Sequence, residues 1–218
     1  DLTMLDVGCP EPTDFNGTKW ESSVVSGSYT MDQGFNIMYN NSLTEVLHGN
    51  FSRRINNYSL NHNDLTGTHD ISGLINLRFK IRLEHNPNLT NIIFPTSTQI
   101  FLDSSSVISN HAFQLNNCNL GYIDFSPLAG ATLNHETSSP PKYSTIHLED
   151  NNMSASEVNH ILDDLKTITI NNSPRWNNIT LIINGNNDAP DNTSGGYDGL
   201  GAINILTNST YNWSITTT

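Results

Sequence analysis

Basic residues are scarce in this chain: its 218 residues include nine Lys and Arg against 21 Asp and Glu, a formal charge of −12. That balance excludes nucleic acid and anionic membrane as partners, because the cations that would neutralise phosphate are missing. Long apolar runs are absent too, so no segment is suited to insertion into a bilayer. A basic-then-apolar leader is missing and the first residue is Asp1 rather than Met, so the chain reads as a processed or excised mature segment. Cysteine is limited to Cys9 and Cys118, too few for a disulfide framework. A single bridge between them is one reading of the pair; a structural role for Cys118 alone, set out below, is the other. Charged residues as a whole amount to 14%, and Asn, Ser and Thr fill the places they leave. The length allows one sizeable domain, or one domain with a small appendage, and a real core.

What is present is a pattern repeated five times. Leu60 leads "LNHNDL", with Asn63 at offset three and Leu65 at offset five. Leu83 leads "LEHNPNL", with Asn86 in the same slot and Leu89 one place late. Leu115 leads "LNNCNL", where Cys118 takes the asparagine slot, and Leu148 leads "LEDNNM", with Asn151 and Met153. Ile183 leads "INGNND", with Asn186 and no closing apolar residue. In four copies another apolar residue sits two places before the leader: Ile81, Phe113, Ile146 and Leu181. Spacings between leaders are 23, 32, 33 and 35 residues.

This follows the leucine-rich-repeat grammar L-x-L-x-x-[N/C]-x-L. Alternation in a short strand turns Phe113 and Leu115 inward and Gln114 and Asn116 outward. The chain then bends sharply and leaves backbone donors and acceptors inside the bend, at a cost of about 1–3 kcal/mol each if unpaired. A buried Asn satisfies them, and a Cys fills the same space. Asn63, Asn86, Cys118, Asn151 and Asn186 are therefore expected to form a structural ladder, with Cys118 a ladder residue rather than a nucleophile. Units of this kind are stable only when stacked. After each turn an extended return segment follows, with Ile71, Ile92, Ile93, Ile123 and Phe125 expected to point inward. The long spacings imply loops at 96–110 and 129–143, the first holding a degenerate extra copy at 102–107. Ser154 and Glu157 have capping-box spacing, and Val158, Ile161, Leu162 and Leu165 fall on one face of a helix. A shorter helix is expected at 199–206, then a final strand in "NWSITTT". Residues 1–55 do not show the repeat and read as a cap or a small β-rich anchoring module.

The stretches "NNCNLGYIDFSPLAGAT", "IHLEDNNMSASEVNHILDDL" and "INGNNDAPDNTSGGYDGLGAINILTNSTYNWSITTT" together resemble a known family. It is the leucine-rich-repeat domain at the C-terminal ends of surface and virion proteins of Bacteroidetes-type bacteria and their phages. The resemblance covers roughly residues 58–218 and implies a virion fibre, tail or appendage domain, or a cell-surface adhesion module. It brings no catalytic residues with it.

The remaining search for chemistry is brief. None of the eight His falls in H-x-H or H-E-x-x-H, and no second cysteine lies near Cys118, so no metal ligands are assigned. His62 and His85 occupy the same place in successive copies and either stack into a small ladder or simply face solvent. Calcium is the one cofactor the sequence admits, through Asp188, Asp191 and Asp198 in an oxygen-rich loop, though Asp, Asn, Gly and Pro are also ordinary turn formers. Eleven N-x-[ST] sequons occur. Asn16, Asn40, Asn50, Asn57, Asn88 and Asn152 lie in the first part of the chain; Asn171, Asn178, Asn192, Asn208 and Asn212 follow. They read either as glycosylation sites on an extracellular surface or as a by-product of Asn-rich composition.

The surface expected to bind is the concave sheet face, whose outward positions include Asn61, Lys80, Arg82, Glu84, Gln114, Asn116, His147 and Glu149. Repeat proteins present such rows as extended binding faces, and this row is amide-rich and suits carbohydrate or a polar protein surface. The same residues could instead merely keep the sheet soluble. The expected fold is thus a leucine-rich-repeat solenoid, β-rich with short parallel strands and few helices. Its repeat domain spans 56–218, closed by a C-terminal helix and strand, behind the non-repeat segment 1–55. The expected function is recognition or adhesion at an extracellular, virion or cell surface. A structural or decorating role, bound to other subunits of an assembly, is the alternative. An extracellular glycan hydrolase using Glu84 and Glu149 comes third; no enzyme is expected.

Overall fold

The computed structural model describes residues 14–15, 19–21, 35–47, 55–74, 77–96, 111–131, 144–173 and 176–218. Cys9, the sequons Asn16 and Asn50, the copy at 102–107 and most of the two long connections lie outside them.

Short apolar-polar alternation yields short strands here. The N-terminal ones are β1 (Asp14–Phe15), β2 (Lys19–Glu21), β3 (Phe35–Asn36) and β4 (Glu45–Leu47). Then come β5 (Ile55–Ser59), β6 (Thr66–Asp70), β7 (Leu77–Arg82) and β8 (Asn88–Ile93). The last four are β9 (His111–Gln114), β10 (Thr145–His147), β11 (Thr180–Ile183) and β12 (Ser214–Thr217). Seven of them form one sheet in the order β12-β11-β10-β9-β7-β5-β3, and every neighbouring pair is parallel. Strand order follows chain order, and the sheet does not close into a barrel. β6 and β8 form a second parallel pair from the segments that follow the turns, while β2 joins antiparallel β1 to parallel β4. Among the described residues there are two α-helices, α1 (Ala155–Asn172) and α2 (Gly199–Leu206). Among the described residues the architecture is a mainly parallel-strand sheet with two α-helices.

Register explains the core. Tyr58, Ile81, Phe113, Ile146 and Leu181 stand opposite one another across five strands, and all five are fully buried. The leaders Leu60, Leu83, Leu115, Leu148 and Ile183 form a second buried row. Of the expected inward residues after the turns, Ile71, Ile92, Ile123 and Phe125 are buried. Ile93 is not: it is 43% exposed, because it follows Ile92 in β8 and alternation turns only one of an adjacent pair inward.

The turns share one chemistry. Two residues after each leader the backbone is left-handed, at His62 (φ 56°), His85 (φ 60°), Asn117 (φ 54°), Asp150 (φ 57°) and Gly185 (φ 77°). Inside the bend, Asn86 Nδ2 donates to Leu83 O of its own turn at 2.8 Å and to Leu60 O of the preceding one at 2.9 Å. Its Oδ1 accepts from Leu65 N at 3.1 Å. Asn63 makes the same contacts to Leu60 O, Ile37 O and Asn40 N, and Asn151 to Leu148 O, Leu115 O and Leu120 N. Cys118 is a free buried thiol whose Sγ donates to Leu83 O at 3.2 Å.

At the last turn the structure corrects the sequence. Asn187, 2% exposed, fills the slot rather than Asn186, which is exposed. This turn is one residue longer: Asn187 Nδ2 reaches Ile183 O four positions back, where the other asparagines reach three. Asn186 is the extra residue, and its N–H donates to Asp150 Oδ1. The sheet also extends into the 1–55 segment, which the sequence places outside the repeat. β3 is its edge strand, Ile37 N donates to Ser59 O, and Asn40 N donates to the Asn63 side chain. Ile37 in place of leucine, with Leu43 at offset six, hides this copy.

Both helices start from local signals. Ser154 caps α1 in a reciprocal capping box with Glu157, and Val158, Ile161, Leu162 and Leu165 are buried. Asp198 caps α2 by accepting from Gly201 N. At this end the Trp213 indole donates to Trp176 O and the Trp176 indole donates to Ala131 O.

Candidate functional site

Alternation leaves the outer face of the seven-stranded sheet mostly to polar side chains, in two rows set by register. Ser59, Arg82, Gln114, His147 and Ile182 make one. The next residue but one on each chain makes the other, Asn61, Glu84, Asn116, Glu149 and Asn184, whose carbonyls accept from successive turns. The structure thus brings together Asn61, Lys80, Arg82, Glu84, Gln114, Asn116, His147 and Glu149, but it does not display them equally. Asn61 and Glu84 are buried, 1% and 5% exposed, rather than solvent-facing. Their partners lie along the same strand: Ser59 Oγ donates to Asn61 Oδ1 at 2.8 Å, and Arg82 Nη2 donates to Glu84 Oε1 at 2.6 Å. Lys80, Arg82, Gln114, Asn116, His147 and Glu149 remain half-buried.

This face holds two stations, an ion pair and a histidine–carboxylate contact. Arg82 and Glu84 form the first, and burial lowers the Lys80 ammonium beside it, with Arg82 adding to that effect and Glu84 opposing it. His147 Nδ1 lies 2.9 Å from Glu149 Oε1 in the second. Gln114 and Asn116 stand between the stations. In each, one carboxylate oxygen is engaged and the other is not: Glu84 Oε2 and Glu149 Oε2 are buried and have no hydrogen-bond partner among the described residues.

Beside the second row the left-handed turn residues build an aromatic edge. Tyr39 and His62 stack at 4.5 Å between ring centroids, and His62 and His85 at 4.3 Å. Burial and the neighbouring His85 lower the His62 pKa. A surface cavity of about 380 Å³ adjoins, lined by these three rings with Asn41, Asn63, Asp64 and Pro87. Sequence reasoning pairs His62 with His85 but misses Tyr39, whose position two residues after Ile37 is the available signal. Scans of family models, curated proteins and solved structures find no match to this chain.

A second stack lies on the helix side, Tyr122 on His160 at 3.8 Å and His160 on Tyr197 at 4.1 Å. Tyr122 Oη donates to Asp164, whose carboxyl is raised by burial, while the Tyr122 hydroxyl is raised by burial and by that hydrogen bond. The three aspartates of the oxygen-rich loop go to separate partners. Asp188 accepts from Ala155 N at the start of α1, and Asp198 caps α2. Asp191 accepts from Ser194, Thr193 and the buried Asn159, which hold its carboxyl well below the usual range. Among the described residues no three His, Cys, Asp or Glu converge as ligands for a metal ion.

Of the sequons, Asn88, Asn152, Asn171, Asn192, Asn208 and Asn212 are exposed, and Asn40 and Asn178 are half-buried. Asn57 lies in β5. Burial pushes the Cys118 thiol up to about 12, which leaves it protonated and unsuited to nucleophilic attack. Among the described residues no helix is long and apolar enough to cross a membrane.

Proposed function

We propose that the chain is a leucine-rich-repeat solenoid related to the surface and virion modules it resembles, and that it recognises a hydroxyl-rich ligand, carbohydrate above all, on its polar concave face. The observation that carries this reading is the row of partly exposed polar side chains on one sheet face, Lys80, Arg82, Gln114, Asn116, His147 and Glu149. Glu84 Oε2 and Glu149 Oε2, on either side of Asn116, are covered in this structure, so a ligand would pair with them only after neighbouring side chains move aside. Adjacent strands lie about 4.8 Å apart, so charged and amide groups recur across roughly 10 Å, with Gln114 and Asn116 in the middle. That is an array for a chain of hydroxyls rather than for a single group. The strand-and-asparagine turn, repeated in chain order, supports the solenoid half of the reading.

A structural role in an assembly is the second reading. It is favoured by the outer side of β12, which pairs with no strand among the described residues and so offers backbone groups to another subunit.

The test is binding of labelled chain to whole cells and to a glycan array, beside the triple variant Lys80→Ala, Arg82→Ala, Glu149→Ala. Saturable binding lost in the variant is expected. Absence of binding by both forms moves the reading to assembly. Hydrolysis of a bound glycan, lost in Glu84→Gln, moves it to catalysis.

A further inference from the structure

The aromatic turn edge does something the polar rows cannot. Tyr39 has one ring face against His62 and is nevertheless 72% exposed, so its other face is open to solvent. The stack is held from behind: Tyr39, His62 and His85 each donate their N–H to the neighbouring strand, at Asn61 O, Glu84 O and Asn116 O. A flat apolar surface fixed in this way loses little conformational freedom when something settles on it. Polar groups converge at its margin. Asp64 Oδ1 is held by Asn88 Nδ2 at 2.7 Å, which leaves its second oxygen for an incoming donor, and Asn41 presents an exposed amide. Aromatic walls with a few placed polar groups around about 380 Å³ match the lower end of the size range of small-ligand sites.

We propose that this edge is a subsite for a single pyranose. The apolar C–H face of the sugar lies on the Tyr39 side of the stack, and its hydroxyls donate to Asp64 and bond with Asn41. A pyranose has the required two-sided character, an apolar face with a polar rim. A phosphate or sulfate does not fit, because the Asp64 carboxylate and the net charge of −12 repel it. This inference rests on the saccharide reading of the polar face: the edge takes one ring and the rows take the remainder of the glycan.

The experiment is saturation-transfer NMR on the full chain with methyl pyranosides of the gluco, galacto, manno and fuco series, with choline as the cationic control. Millimolar binding of at least one pyranoside is expected, weakened about tenfold or more, some 1.4 kcal/mol, in Tyr39→Ala and in Asp64→Asn. Thr167→Ala, an exposed position on α1, should leave it unchanged. Tyr39 is exposed, so its variant should keep the wild-type urea midpoint, which separates lost binding from lost folding. Pyranoside binding that survives both edge variants overturns the subsite, as does binding of choline alone. Array binding without any binding of single pyranosides also overturns the subsite and leaves the polar face standing. Silence in both assays overturns both.

Discussion

Asn151 and Cys118 fill the same slot in consecutive turns with unequal chemistry. Asn151 is reached from three sides: its Nδ2 donates to Leu115 O and Leu148 O, both at 2.9 Å, and its Oδ1 accepts from Leu120 N at 3.3 Å. A thiol has one proton and is weak as donor and acceptor. Cys118 Sγ lies 3.2 Å from Leu83 O and 3.6 Å from Asn116 O and can serve only one of them at a time. The two turns nevertheless adopt the same bend, with left-handed Asn117 and Asp150 at the same place. The bend is therefore set by the buried leaders and the parallel strands around it, and the slot residue governs how much polar cost remains inside.

The sharpest way to break this comparison is Asn151→Ala. It leaves Leu115 O and Leu120 N short of a partner at about 1–3 kcal/mol each, while Leu148 O keeps the Asn187 side chain, so a loss of about 3–4 kcal/mol in urea unfolding is expected. A loss below 1 kcal/mol would mean that water or neighbouring groups take over the slot.

A pH scan gives the next largest effect. His69 is buried against Tyr58 Oη at 2.7 Å, and burial lowers its pKa from 6.5 to about 4. A group depressed in this way contributes fully above pH 6.5, and the contribution disappears as pH falls toward 4, about 3 kcal/mol in all. Neither an amide nor a protonated thiol titrates in that window. Wild type and slot variants should therefore lose stability in parallel, and a gap between them that changed with pH would tie the slot to His69.

Cys118→Ala should be the mildest change, about 1 kcal/mol for one weak hydrogen bond and a small volume. If it cost as much as Asn151→Ala, the two slots would be equivalent after all and the hydrogen-bond argument would fall.

What sequence could reach was whatever depends on near neighbours. The capping box at Ser154 and Glu157 spans four residues and was legible, as was the buried face of α1. The slots at Asn63, Asn86, Cys118 and Asn151 follow from a fixed offset. Asn187 escaped because one added residue shifts the offset by one, and an asparagine happens to stand at the expected place. The copy led by Ile37 escaped because Ile and a late Leu43 dilute the pattern. The polar face was legible as a set of residues but not as a surface. Alternation says that Glu84 points outward, yet only three dimensions show Arg82 lying along the strand to bury it. Likewise Tyr39 joins the His62–His85 stack through strand order, which no local window contains.

Each slot asparagine holds a carbonyl of its own turn and one of the turn before. Mechanically, the turns are links closed on one another as well as loops on a common sheet. Tension along the sheet is shared between the strand hydrogen bonds and these side chains, and the link closed by a thiol adds the least to it. A chain pulled from its two ends would thus part first between the turns of Leu83 and Leu115, leaving the Asn-closed links on either side intact. Strain along the row of turns would then be released at one defined place, between the aromatic edge and the helical end.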